Sequence, residues 1–437
     1  MAGENPTGRW WTLVAVVAGV FMLLLDVTIV IVALPDIRVD LKSSLSDLQW
    51  VIDAYALMLA AVMLTAGVLA DRFGRKRFFA LGTVLFTLGS LSCALSQTPM
   101  ALILSRAGQG IGGAIMFATS LALLAGAYQG RDRGIAFGVF GACAGVATAA
   151  GPVLGGVIIN GLSWRWIFLV NLPVGAVTVA VTLLRVRESR DPVRRRLDWP
   201  GFVTFSLGLT ALVYALVRGG AAGWVSGRVL ACFIAAAVLL VAFIAVELRR
   251  RDPMLELGLL RKPTFTGGLV ASFAISASLF ALLTYVVLYF QSELGYSALG
   301  TGERVLLLSG ATFVTAAIAG RATTHVSPRA LIAPGFVLVG AGLLLMRGLD
   351  PSTTWTHFIP GLILAGIGSG LINVPLAATA VGVVEPARAG MASGINNTLR
   401  QVGMATGIAA LGSIFSHQLR DGVAAALQGT PAERFAG

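Results

Sequence analysis

An aspartate, Asp26, stands inside an apolar run from residue 11 to 33, in the stretch LLLDVTIVIVALP. A carboxylate there needs a polar partner, a water-filled cavity or a proton, and acids within membrane-spanning runs mark ion and proton pathways. Arg106 falls inside a second run, 100 to 125, and Asp53 inside a third, 48 to 70. At 1.5 Å per residue, Asp26 and Arg106 lie roughly 10 Å and 9 Å from the ends of their runs that the charge pattern below places outside. Asp53, about five residues into its run, comes to a similar level. Opposite charges at a common depth serve in one of two ways. They form a fixed ion pair that ties helices together, or they belong to a relay in which the acid gains and loses its arginine as helices move. Burial and a neighbouring guanidinium act in opposite senses on a carboxyl's hold on its proton, so that movement would couple protonation to conformation. Asp26, Arg106 and Asp53 are the proton-coupling candidates on this reading, with Tyr55 and Gln109 as candidates for lining a cavity.

The elements that carry these residues are membrane spans. Of 437 residues, 57% are hydrophobic and 12% charged, a balance that excludes a soluble domain with one buried core. Thirteen apolar stretches are long enough to cross a hydrocarbon layer of about 30 Å: 11 to 33, 48 to 70, 78 to 96, 100 to 125, 135 to 159, 166 to 184, 201 to 217, 229 to 247, 264 to 290, 302 to 320, 330 to 346, 358 to 383 and 391 to 416. The first continues past signal-peptide length into further spans, so it is read as a transmembrane helix. With the N-terminus inside, 21 of the 32 Lys and Arg residues fall on the inner side, nine on the outer, and Arg106 and Arg400 within spans. The positive-inside rule then puts the N-terminus in the cytoplasm. The net charge of +12 is thereby topological and does not form a nucleic-acid surface. Cys93, Cys143 and Cys232 fall inside apolar segments, and His325, His357 and His417 stand singly near helix ends, so neither a disulfide framework nor a metal site is expected.

Two basic loops, 185 to 198 and 247 to 263, divide the chain into six, two and five spans. The expected organisation is an N-terminal bundle of six helices over 1–184, a region 185–263 with two linker helices, and a C-terminal bundle over 264–437. Two six-helix halves would need one further span, and the residues from 418 to 437 hold no apolar run of that length.

The loop after the second span reads GVLADRFGRKRFF. Gly67 and Asp71 are one helical turn apart and Gly74 makes a tight turn among Arg72, Arg75 and Lys76, which suits a short cytoplasmic hairpin between closely packed helices. Gly67 would permit close contact, and Asp71 would pair with a cation or meet the positive end of another helix. In the fifth span Gly151 and Pro152 mark a bend, and Gly145, Gly155 and Gly156 suit close helix packing. Asn396 with Arg400 and Asn397 with Gln401 are spaced i, i+4 as a polar stripe in the thirteenth span, facing the cavity or the Asp71 loop, and Asn373 lies in a glycine-rich twelfth span. Ordinary packing or hydrogen bonding between helices would account for these same residues.

The segment Gly67 to Lys76 resembles the Gly-x-Leu-Ala-Asp-Arg-x-Gly-Arg-Lys hallmark of the major facilitator superfamily. LDVTIVIVALP, WVIDAYAL, LILSRAGQGIGGA, GACAGVATAAGPVLGG, WRWIFLVNLPVG and NNTLRQVGMATG, in that order, resemble motifs of its fourteen-helix drug:proton antiporter branch. The resemblance implies an all-α integral membrane protein of the major facilitator fold, with about thirteen helices present and the last absent. It implies a transporter, not an enzyme, that exports drug-like molecules against protons, with the fifth-span glycines as an antiporter motif governing proton leak. Two departures bear on substrate. Ile31 stands where the family commonly has Asn, and spans nine to thirteen hold no deep carboxylate, which favours a neutral or monocationic amphipathic compound over a dication. No phosphate-cradling loop is present, so no nucleotide cofactor is expected. The partners expected are a small amphipathic substrate, protons and lipid, with the chain a monomer in the cytoplasmic membrane. A dedicated exporter of one endogenous metabolite and a non-transporting relative remain open as alternatives.

Overall fold

The computed structural model describes residues 6–190, 198–250, 252–323, 325–350, 352–385 and 388–427. The basic run within 191–197, together with Arg251 and Arg434, lies outside the described residues. Apolar periodicity over long runs with few internal breakers yields helices throughout. Among the described residues there are fourteen: α1 (Pro6–Asp40), α2 (Leu45–Phe73), α3 (Arg75–Ala94), α4 (Pro99–Ala127), α5 (Gly130–Gly161), α6 (Trp166–Leu169), α7 (Asn171–Arg185), α8 (Trp199–Ala222), α9 (Gly227–Arg249), α10 (Pro263–Ser292), α11 (Ala298–Ala322), α12 (Pro328–Leu345), α13 (Ile359–Gly382) and α14 (Ala389–Leu427). The single turn α6 and the helix α7 together make one apolar stretch, Trp166–Arg185. Among the described residues eleven stretches are long and apolar enough to cross a membrane, against thirteen expected; α5 and α14 are not among the eleven.

Several helices outrun the apolar stretches that reveal them: α1 has 35 residues, α5 has 32 and α14 has 39. Hydropathy stops at the membrane surface, whereas a helix continues until a cap or breaker ends it. Such caps are present. Ser44 and Asp47 form a reciprocal capping box at the start of α2, with Ser44 N donating to Asp47 Oδ2 at 2.9 Å and Asp47 N to Ser44 Oγ at 3.2 Å. Thr98 caps α4 ahead of Pro99, and Asp198 caps α8 ahead of Pro200.

The helices fall into two groups by packing. In one, α4 packs on α2 and α3, and α1 on α5 and α7; in the other, α13 packs on α11 and α12, and α10 on α14. The groups meet along two seams, α5 against α11 and α2 against α14. The pair α8 and α9 lies outside both. Ser206 of α8 donates to the Ala61 carbonyl of α2 at 2.8 Å, and Trp224 Nε1 donates to Ser413 Oγ of α14 at 2.9 Å, so the pair straddles a seam. Burial grades accordingly. In the most apolar window of α4, 72% of the residues are buried, against 17% in α9, which marks α4 as central and α9 as facing lipid.

Candidate functional site

The deepest polar cluster is built on Arg106 of α4. Its Nη1 donates to Asp26 Oδ2 of α1 at 2.6 Å and to Gln109 Oε1 at 2.6 Å, and its Nε donates to the Val51 carbonyl of α2 at 3.1 Å. Gln109 Nε2 returns to Asp26 Oδ1 at 2.9 Å and reaches Ser90 Oγ of α3 at 2.7 Å. Asn171, the first residue of α7, donates from Nδ2 to Asp26 Oδ1 at 3.3 Å and to Ser90 Oγ at 3.0 Å. The guanidinium carbon lies 4.1 Å from the centre of the Tyr55 ring, a cation–π contact. Five helices thus converge on one carboxylate. Asp26 is 0% and Arg106 2% exposed, so the pair is sealed in this conformation. A buried pair of this kind is expensive to break from one side, about 3–5 kcal/mol, because the survivor is left buried and unpaired.

Asp53 does not join this cluster. Val51 and Tyr55, one turn apart on α2, face Arg106; Asp53 lies between them in sequence and so about half a turn round the helix. It is half-buried, and the cation that acts on it is Arg218 of α8. Common depth is not common face. Tyr55 and Gln109, expected to line a cavity, are closed into the cluster. A groove of about 580 Å³ opens instead between α1 and α2 near the Asp40 end, lined by Leu34, Pro35, Arg38, Val39, Leu48, Gln49 and Ile52, none of them cavity candidates. Sequence reading passed over Asn171 and Ser90 as site residues. Asn171 carried a usable signal, since it is a lone amide in the run 166 to 184; Ser90 carried none.

The hairpin between α2 and α3 makes a second constellation, at one end of the α2–α14 seam. Asp71 accepts from Arg75 Nε at 2.8 Å and Nη2 at 2.7 Å, and also from the backbone N–H groups of Gly390 and Met391, both at 2.9 Å. It therefore joins a cation to the first turn of α14, where unsatisfied N–H groups and the helix dipole favour an anion. The backbones touch beside it: a methyl group at Gly67 would collide with the Gly390 carbonyl, and one at Gly390 with the Gly67 carbonyl. Gly74 turns the chain with φ of +117°, and Glu188, beyond α7, sits against it, accepting from Lys76 N at 3.0 Å and Arg77 N at 3.3 Å. Lys76 Nζ donates to the Leu183 carbonyl at 2.9 Å, and Arg72 lies over the Phe73 ring.

The small residues of α5 serve both of its neighbours. Gly151 and Gly155 admit Thr28 and Ile29 of α1, two and three residues beyond Asp26, whereas Gly145 faces Thr312 and Gly156 faces Leu299, both of α11. The helix runs unbroken through the expected bend, and the side chain of Pro152 lies outside the described ones.

In α14 three of the four residues of the expected polar stripe find separate partners. Asn396 Oδ1 accepts from the Ser272 hydroxyl of α10, Arg400 Nη2 donates to Asn373 Oδ1 of α13 at 2.8 Å, and Asn397 Nδ2 donates to Ser393 Oγ at 3.4 Å. Gln401 is half-buried. Asn396 and Arg400 thus bond to other helices and Asn397 within α14, a helix packed on several sides.

Comparison with known proteins agrees with this architecture. The model of the Major Facilitator Superfamily matches residues 16–408. The multidrug resistance protein Stp of Mycobacterium tuberculosis is 35% identical over 406 residues, covering 93% of this chain and 75% of that protein. The puromycin resistance protein pur8 of Streptomyces alboniger is 36% identical over 417 residues, covering 94% and 82%. The crystal structure of the human organic anion transporter MFSD10 (TETRAN) superposes with a TM-score of 0.68 at 17% identity, covering 94% of each chain, a likeness of fold. With helices that span a membrane many times, packed in two groups about a sealed charge cluster, and with a family match over nearly its whole length, this chain is a membrane transport protein and belongs to the major facilitator superfamily.

Proposed function

We propose that the protein exports drug-like amphipathic molecules across the cytoplasmic membrane in exchange for protons, with Asp26 as the coupling acid. The observation that carries the reading is the sealed Asp26–Arg106 pair, held by five helices of one group. A carboxylate neutralised by a fixed cation needs no proton; one separated from it inside a membrane does. Helix movement that draws α1 from α4 would therefore load Asp26 with a proton, and reclosure would expel it. The two groups, residues 1–184 and 264–437, rock about the seams that join them, with 185–263 as the linker between them. The Asp71 contact with α14 latches the closed state at the face that carries most of the basic residues, which we assign to the cytoplasm together with the N-terminus. The names of the similar proteins, multidrug resistance and puromycin resistance, support export of drug-like compounds. Asp53, the α5 glycines and a monomeric state belong to this reading in lesser roles: Asp53 as a peripheral acid, the glycines as the close seam that seals against proton leak.

Fluorescence of a cationic dye, ethidium, and an anionic one, 1-anilinonaphthalene-8-sulfonate, in inside-out vesicles tests it. Energised vesicles carrying the protein are expected to accumulate at least one dye, and a protonophore to release it. Accumulation that survives the protonophore and vanishes on removal of ATP would overturn the reading.

A further inference from the structure

Arg400, a half-buried arginine inside α14, has no role in the coupling just described. Arg400 is the twelfth residue of α14, roughly 16 Å along its axis, well inside a helix that packs on α10, α2 and α4. A cation at that depth is retained with a partner. Its partner among the described residues is Asn373 Oδ1 at 2.8 Å, a neutral amide. No ion pair forms there, and the sequence gives the reason. From residue 264 on, the acids are Glu293, Glu303, Asp350, Glu385, Asp421 and Glu433, none at mid-helix.

The surroundings offer donors. Asn373 Nδ2 is held by the Ser369 carbonyl and hydroxyl, both at 3.0 Å, which fixes the amide oxygen toward Arg400 without neutralising it. One turn before Arg400 on the same face, Asn396 spends its oxygen on Ser272, and its Nδ2, 1% exposed, has no partner. One turn beyond Ser272 on α10, the hydroxyl of Ser276 is likewise buried and unpartnered. Leaving such groups unsatisfied costs about 1–3 kcal/mol each. Unlike Arg106, Arg400 is half-buried and not sealed. What completes this set is an acceptor that carries negative charge, and the guanidinium fork matches a carboxylate.

We propose that Arg400, aimed by Asn373 and assisted by Asn396, receives the anionic group, a carboxylate or acidic phenolate, of an amphipathic substrate. This deepens the export reading and rests on it. It also revises the substrate expected from sequence. The missing acids of the C-terminal helices disfavour a dication, but they leave a cation that favours an anion over a neutral or monocationic compound.

The test uses three probes with one apolar body: 1-pyrenebutyrate, 1-pyrenebutanol and 4-(1-pyrenyl)butyltrimethylammonium. Binding to the purified full chain is read by pyrene fluorescence, and export by wild-type vesicles is read separately. The wild type is expected to bind pyrenebutyrate at least tenfold more tightly than pyrenebutanol, with the ammonium weakest. Arg400→Gln should erase the preference for the anion while leaving pyrenebutanol affinity within twofold, and Arg400→Lys should restore part of it. Should Arg400→Gln not fold, Asn373→Asp keeps the test decisive, because a fixed carboxylate beside Arg400 should remove the preference with the arginine in place. Equal binding of the three probes by wild type, no binding of pyrenebutyrate, or a preference unchanged in both Arg400→Gln and Asn373→Asp overturns the proposal. Anion-preferring binding without gradient-driven export of any probe or dye would instead count against the export reading and leave the subsite standing.

Discussion

Arg106 and Arg400 are both arginines inside long helices, one in each group of helices, and their surroundings differ in kind. Arg106 meets a carboxylate, a side-chain amide, a backbone carbonyl and an aromatic face, and is 2% exposed. Arg400 meets one amide oxygen and is half-buried. In the first cluster the cation and its carboxylate satisfy each other within the protein, so the pair can change only by moving or by taking up a proton. The second is incomplete, so it can change by binding something. On the proposed reading proton and substrate fall to different halves, and the seams at Asp71 and along α5 would let one half feel the other.

Substitutions sharpen or break that contrast. The largest effect is expected from Asp26→Asn, which keeps the shape of the cluster and removes its titratable group: dye accumulation in energised vesicles should fall to background while dye–dye exchange persists. Arg106→Gln leaves Asp26 buried without its cation and should destabilise the protein by about 3–5 kcal/mol, read as a lowered unfolding temperature in detergent, with Asp26→Asn/Arg106→Gln less destabilised than Arg106→Gln alone. Asn171→Ala removes one hydrogen bond to the carboxylate, about 1.5–3 kcal/mol, and should slow gradient-driven transport without abolishing it. Asp53→Asn should be the mildest, within about 0.5 kcal/mol in stability and twofold in transport, because Asp53 takes no part in the hydrogen bonds that hold Asp26 and Arg106. A large coupling defect in Asp53→Asn would break the contrast, since the proton site would then extend beyond the sealed cluster.

Much of this was legible in the sequence, and the limits have physical causes. Spans follow from hydropathy, so the helices of the fold and the isolation of Asp26 and Arg106 could be read residue by residue. Depth along a helix follows from counting, which paired Asp26 with Arg106. Rotation about the axis does not follow from counting when a helix is apolar on most sides, and Asp53 was therefore grouped with residues on another face of α2. The same limit hid the partners of Asn396 and Arg400: spacing of i, i+4 shows which residues share a face, whereas packing decides which neighbour they bond. Asn171 could be picked out as a lone amide in an apolar run, but Ser90 is neutral and small beside the charges it supports, so nothing in a single sequence set it apart from interhelical glue. Asp71 was legible to the extent that its two kinds of partner were foreseeable, a cation and a helix end, but that the end belongs to α14 follows only from the fold.

The central claim is that substrate and proton are linked through Asp26. A pH-indicator dye in weakly buffered detergent solution reads it directly: a dye shown to be exported is added to the purified protein and proton release is recorded. The account predicts release from the wild type and from Asp53→Asn, and none from Asp26→Asn. Undiminished release from Asp26→Asn would contradict it.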